Sequence, residues 1–257
     1  MTNNIQALVE YFEKYFSVEF ALTQEQKNRV YGIRYRVYCE EFRYEAPEHF
    51  PEKQESDEFD EYSLHCLITH KERHIPAGCV RLVSVAGSNG KDLLPFEKYC
   101  AKSLDNEFIK DLNLERQTVC EISRLAVDGI FRRRSGEKST RFGDVLDFTD
   151  QEKRTFSLIA VSGFLAATAL TELTGRTNVF AMMEPFLPRL LKRSGIVFQR
   201  AGKDIDYHGI RAPYFIKTRS ALDNMDINLK VLYDWLKIQI EDAYQTSIWN
   251  PESRVRT

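Results

Sequence analysis

The chain has 257 residues, 43% of them hydrophobic and 12% aromatic, with a net charge of −2. That composition suits one large α/β domain with a full core, and it excludes a disordered chain. The near-neutral charge excludes an overall field that would draw the protein to nucleic acid or to an anionic membrane.

The N-terminal Met1-Thr2-Asn3-Asn4 lacks the charged-then-apolar order of a signal peptide. Ile5–Phe16 has the spacing of a short amphipathic helix, and Thr23-Gln24-Glu25-Gln26 reads as a capping box opening a longer helix over 24–42. Residues 43–60 carry two prolines and many acids and read as a loop. Tyr62–Thr69 and Gly78–Val85 predict a hairpin with a polar turn around Lys71–Pro76. A second turn at Gly87–Lys91 precedes two short helical stretches near 94–112, and Gln117–Val127 has the apolar content of a central strand. Residues 129–152 show no clear periodicity. Thr155–Leu173 predicts a long apolar helix ended by Gly175, and Asn178–Met183 a strand. Pro185–Ser194 predicts a helix begun by proline and stopped by Gly195. Ile196–Ala201 and Tyr207–Lys217 predict further strands, and Leu222–Tyr244 a helix. This order predicts an α/β (α+β) fold, a mixed central sheet with helices on both faces. It is read as one domain over 1–257 with a C-terminal helical extension from about 219. The longest apolar run, Leu158–Leu170, is broken by Ser162, Gly163 and Thr168, so no membrane span is expected. The five cysteines (Cys39, Cys66, Cys79, Cys100, Cys120) sit in apolar segments and read as reduced core residues of a cytoplasmic protein.

Arg34, Tyr38, Tyr44, Asp57, Asp60, Arg81, Phe96, Glu121 and Arg124 stand at uneven spacings at the ends of segments that otherwise read as core. The run Val119–Val127 places Glu121, Ser123 and Arg124 inside an apolar, β-branched stretch. An unpaired buried charge costs on the order of several kcal/mol, so these groups either pair with one another or line a cleft. Residues three apart in a regular strand point to opposite faces. Glu121 and Arg124 therefore share a cleft only if the strand bulges between them or the sheet opens there. Leu158, Ile159, Val161, Phe164, Leu165 and Leu170, with Met182, Met183, Phe186 and Leu187, provide an apolar surface that suits either a core or an acyl chain.

Locally the charge is uneven: residues 40–61 are acidic, and Arg132, Arg133, Arg134, Lys138 and Arg141 form a basic stretch. No aromatic interleaves that stretch, which argues against nucleic acid. His65, His70 and His74 surround a turn without a ligand pattern, so no metal site is expected.

In Arg34-x3-Tyr38-x5-Tyr44, Asp57-x2-Asp60, Arg81 in Gly-Cys-Val-Arg-Leu, Phe96 in Leu-Pro-Phe, and Glu121-x2-Arg124 in Glu-Ile-Ser-Arg-Leu-Ala-Val, the chain resembles the acyl-homoserine-lactone (autoinducer) synthases. Tyr38 and Tyr44 depart from that pattern, in which Phe and Trp are more frequent. Met182-Met183-Glu184-Pro185 and Asp206-Tyr207-His208-Gly209-Ile210-Arg211-Ala212-Pro213-Tyr214 resemble the PEP-CTERM/exosortase-associated acyltransferases, which are similar to the bacterial N-acyl amino acid synthases.

The resemblance implies a GNAT acyl-CoA N-acyltransferase fold, which the element order also matches. It implies a bacterial enzyme that moves a long acyl chain from an acyl carrier protein or CoA thioester to the amine of an amino acid or related small molecule, with no permanently bound cofactor. Glu121, Ser123 and Arg124 are then the catalytic candidates. Glu121 orients or deprotonates the amine, its pKa raised by burial. Arg34, Tyr38, Tyr44, Asp57, Asp60, Arg81, Phe96 and His208 are candidates for binding and ordering the acceptor side. Val127, Arg132, Arg133, Arg134, Gly136 and Lys138 are candidates for the donor side, where positive charge suits an acidic carrier protein or the phosphates of CoA. Lys138 stands where the acetyltransferase pyrophosphate loop has a second glycine, which favours the carrier protein. Backbone N–H groups near Ala126 to Asp128 are the expected oxyanion donors. The alternatives are an autoinducer synthase using S-adenosylmethionine, a small-amine acetyltransferase, and a non-catalytic acyl- or carrier-binding module.

Overall fold

The computed structural model describes residues 2–85, 92–132 and 148–247. The expected turn at Gly87–Lys91, and Gly136 with the basic residues Arg133, Arg134, Lys138 and Arg141, lie outside the described residues.

Helix α1 (Thr2–Tyr15) runs directly into a short edge strand, β1 (Phe16–Phe20), whose buried Phe16, Val18 and Phe20 alternate with Ser17 and Glu19. Helix α2 (Gln24–Arg34) opens at the expected capping box: the Gln26 N–H donates to Thr23 Oγ1 at 3.2 Å and the Thr23 N–H to Gln26 Oε1 at 3.0 Å. The helix does not continue regularly to residue 42. It widens into a π-helical segment, Tyr35–Glu41, a deviation that commonly marks functional positions.

The hairpin is β2 (Ser63–His70) and β3 (Ile75–Ser84); the short helices α3 (Pro95–Tyr99) and α4 (Asn106–Asp111) follow, then β4 (Val119–Val127). Helices α5 (Gly129–Arg132), α6 (Asp150–Thr155) and the long α7 (Ser157–Leu173) lead to β5 (Asn178–Met183). Helix α8 (Leu187–Lys192) starts two residues later than Pro185 and takes Pro188 into its first turn. Gly195, at φ +83°, turns the chain where an added Cβ would strike the Asn224 carbonyl oxygen.

The last strands are shorter than expected, β6 (Gln199–Arg200), β7 (Ile205–Asp206) and β8 (Ile210–Lys217), because Lys203, Asp204 and the Tyr207–Gly209 turn interrupt the pairing. The expected C-terminal helix is two helices, α9 (Thr218–Asn224) and α10 (Ile227–Gln245). Asp226 caps the second, accepting from the Asn228 N–H at 2.9 Å. Leu232, Tyr233, Leu236 and Ile240 of α10 are buried in the main core rather than standing apart from it.

The sheet is mixed, in the order β1-β2-β3-β4-β5-β8-β6, with β7 beside β8. Among the described strands only β4 and β5 run parallel, joined by the crossover through α7 that a parallel pair requires. Alternation sorts the side chains between two faces. Cys66, Ile68, Val80 and Leu82 meet α7, whereas Leu67 and Cys79 meet α2 and the π-helical segment. Gly163 lets α7 approach β4 closely: a Cβ there would lie 2.6 Å from Leu125 Cδ1. All five cysteines are free and buried, and no described helix is long and apolar enough to cross a membrane.

Candidate active site

Strand β4 carries two irregularities, and together they make the site. The first is a bulge. Cys79 pairs with Ala126 and Arg81 with Ser123, so two steps along β3 face three along β4. The additional residue falls at Arg124, whose φ is +52°. This left-handed backbone costs about 1–3 kcal/mol in a residue with a side chain. It also resets the alternation, so that Glu121, Ser123, Arg124 and Ala126 all present to the α2 side. The second irregularity is a splay: β4 and β5 pair only from Val119 to Glu121, opposite Asn178 to Phe180. Beyond Glu121 the two parallel strands separate.

Around Arg124 the loop after α2 folds in as an ion network. Arg34 donates to Glu55 at 2.5 Å and in fork fashion to Asp60 at 2.6 and 2.9 Å. Arg81 donates to Asp57 at 2.6 Å, to Asp60 at 3.0 Å and to Ser123 Oγ at 3.1 Å. Arg124 donates to Glu55 at 3.2 Å and Asp57 at 3.1 Å, and its guanidinium lies over the Tyr38 ring at 5.3 Å. Three arginines thus face three carboxylates, and the charges balance. Burial works against the charged Asp60 and Glu55, but Arg34 and its fellow arginines hold both carboxylates below their ordinary range. His65, 3.5 Å from Asp60, is pushed down to about 3 by burial, so its ring stays neutral.

Glu121 is excluded from this exchange. It makes no ion pair with Arg124; its Oε2 accepts the Phe96 N–H at 2.7 Å, and that is its single protein partner among the described residues. Burial raises its pKa to about 7 against the opposing pull of that N–H, Arg81 and Arg124. Phe96 itself is held by stacking on Phe180, ring centroids 4.7 Å apart.

From Glu121 a cleft of about 210 Å³ runs through the splay. On the α2 side it is bordered by Tyr38, Ser123, Arg124, Tyr207 and Arg211; on the other by Leu125, Phe164, Ala167, Ala181 and Met183. Most of this wall is apolar, with two neighbouring carboxylates, Glu121 and the exposed Glu184. The wide turn of the π-helical segment brings in Tyr38, whose hydroxyl donates to the Leu125 carbonyl at 3.4 Å.

The residues singled out in the sequence distribute unevenly. Tyr38, Glu121, Ser123 and Arg124 border the cleft, while Arg34, Arg81 and Asp60 are sealed inside the ion network and Asp57 is its most exposed member. Tyr44 lies 6.0 Å from Tyr38, and His208 stands behind it, 3.4 Å from Glu45. Val127 faces the α7 core, and its carbonyl accepts from Arg132 at 2.8 Å; Arg132 also pairs with Glu41. The Asp128 N–H, expected as an oxyanion donor, is instead committed to the Ala77 carbonyl at 2.9 Å as β4 rejoins β3. Glu55 was not singled out, and Tyr207 and Arg211, quoted within the Asp206–Tyr214 motif, were given no site role. Glu55 lies in a loop without periodicity, and its burial depends on arginines from α2 and β4.

Residues 33–140 match the acetyltransferase (GNAT) domain family, a span that holds the hairpin, the ion network and all of β4. The fold is shared with TofI, solved in a ternary complex with an inhibitor and MTA (18% identity, 86% of this chain and 96% of that one, TM-score 0.57). It is shared too with the CoA-dependent acyl-homoserine lactone synthase BjaI, solved with SAM and isopentyl-CoA (14% identity, 86% and 89%, TM-score 0.53). A third relative in fold is FeeM, an N-acyl amino acid synthase from uncultured soil microbes (12% identity, 84% and 97%, TM-score 0.53). No curated protein matches the chain in sequence. Residues 33–140 thus carry the GNAT domain match, within a fold shared with these proteins over most of the chain.

Proposed function

We propose that this protein is an acyltransferase that moves a long acyl chain from a thioester to the amine of an amino acid or a related small molecule, in the cytoplasm. One observation carries the reading: a carboxyl group poised near neutrality stands where an apolar cleft opens between the parted strands. The apolar wall suits the chain, and Glu121 suits the nitrogen. Attack of the neutral amine forms the N–C bond. Glu121 takes the proton that the nitrogen loses, directly or through one water, and the C–S bond breaks to release the thiol with a proton in return. The oxyanion is received by main-chain N–H groups of β4 beyond Glu121, where no β5 partner stands. The ion network holds Arg124 and the loop in place so that the amine arrives in register.

The thioester is carried by acyl carrier protein or by CoA. The basic stretch suits either donor, and Lys138, standing where the acetyltransferase pyrophosphate loop has a second glycine, is the reason to favour the carrier protein; no bound cofactor is required. Mass spectrometry of lipids from cells overproducing the protein tests the reading. An N-acyl amino acid is expected; an acyl-homoserine lactone supports an autoinducer synthase instead. Purified protein that binds long-chain donors without turning them over speaks for a binding module, and preference for acetyl-CoA speaks for a small-amine acetyltransferase.

A further inference from the structure

Four arginines lie on the α2 side of the β3–β4–β8 surface, and they do not have the same surroundings. Arg34, Arg81 and Arg124 each have carboxylate partners. Arg211, near the start of β8, has none: among the described residues it makes no ion pair and no side-chain hydrogen bond, and its Nε is buried without a partner. Its guanidinium rests over the Tyr44 ring at 5.6 Å, and it borders the same cleft as Glu121, Tyr38 and Tyr207. Neither Glu121 nor the exposed Glu184, the carboxylates bordering the cleft, lies within ion-pairing distance of it. Because the neighbouring network is neutral, the charge of Arg211 is not offset from that quarter. A guanidinium cannot shed its proton to relieve this, and a half-buried cation with an open donor edge calls for an anion.

We propose that Arg211 reads the carboxylate of the acceptor, so that the amine acylated in this cleft is that of an amino acid and not that of a neutral amine. The inference rests on the function proposed above. A planar guanidinium backed by an aromatic ring leaves its donor edge free, a fork that matches one carboxylate in charge and in shape. A phosphate of the donor carries more charge and would call for more than this one cation. Tyr38, Tyr44 and His208 stand around the same position, the side from which the loop residues approach Glu121. Arg211 acts electrostatically on Tyr38 and His208, lowering both against or alongside the larger effect of burial, so its field reaches the space between them.

The test compares amino acids with their methyl esters. Purified full-length protein is given palmitoyl-CoA and palmitoyl-acyl carrier protein, with either an equimolar mixture of the standard amino acids or the matching mixture of esters, and N-acyl products are quantified by mass spectrometry. An ester's amine is less basic and offers more free base at neutral pH, so without a carboxylate reader the esters react faster. Wild type is expected to favour the acids about ten- to a hundredfold. Arg211→Gln is expected to abolish that preference by raising the acceptor KM while leaving the donor KM unchanged, and Arg211→Lys to retain part of it. Equal or faster acylation of esters by wild type overturns the inference and leaves the proposed function standing. A rise in donor KM in Arg211→Gln overturns it in favour of a donor phosphate. Absence of any N-acyl product from wild type overturns both.

Discussion

On the loop side of β3 and β4, Arg34, Arg81 and Arg124 satisfy Glu55, Asp57 and Asp60, while three residues back along the same strand Glu121 has, among the described residues, the Phe96 N–H as hydrogen-bond partner and no ion pair. Both regions bury ionisable groups. In the first, the groups are held charged; in the second, burial brings a carboxyl to about 7. Burial alone therefore does not mark a functional charge. Pairing turns buried charge into architecture, and lack of pairing beside a cleft leaves a group whose proton can move.

The largest effect that sharpens this contrast is on rate. Glu121→Gln keeps the shape and the Phe96 hydrogen bond but cannot accept a proton, so turnover is expected to fall about 10²- to 10⁴-fold. Its unfolding free energy should not fall. Above about pH 7 it should exceed that of wild type, because the buried carboxylate no longer has to ionise. Urea unfolding alongside steady-state rates checks both halves.

Arg34→Met attacks the other region and is expected to cost about 3–5 kcal/mol of stability, since it strands Glu55 and Asp60 without their cation. Chemical denaturation reads this directly; a loss below about 1 kcal/mol would mean the network is not structural.

Narrowing the cleft is a milder change. Ala181→Phe, on the apolar wall, should cost about 1–3 kcal/mol by overpacking and shift donor preference from long to short chains. Competition between palmitoyl and butyryl donors measures that shift.

The smallest effect is on stability in mild acid. His65 binds no proton until about pH 3, whereas the unfolded chain binds one near 6.5, so stability should decline as pH falls through that window. Below the ordinary carboxylate range, loss of charge on Asp60 and Glu55 should add to the decline. Glu121 acts in the opposite sense, favouring the fold as pH falls from about 7 towards 4.5. Calorimetric scans of wild type and of Arg34→Met across this range separate the contributions.

Much of this architecture was legible before any coordinates. Asn178–Met183 and the Thr23 capping box are local signals, and they reappear residue for residue. The need for a bulge or an opening beside Glu121 followed from alternation alone, and both are present. Tertiary effects hid the rest. Phe16–Phe20 is so short that its alternation merges with the preceding helix, and it exists because it pairs with β2. The break between α9 and α10 carries neither glycine nor proline and rests on the Asp226 cap. Glu55 is one acid among many in its loop until arginines from two distant segments enclose it. Arg211 stands out only by what does not surround it.

As the proposed base at the mouth of the cleft, Glu121 should set the pH dependence of kcat/KM. Wild type is compared with Glu121→Gln on the same acceptor, so that the acceptor's own ionisation cancels. The expected difference is a limb centred near 7 in wild type and absent from the variant. Superimposable profiles with comparable rates would contradict the account.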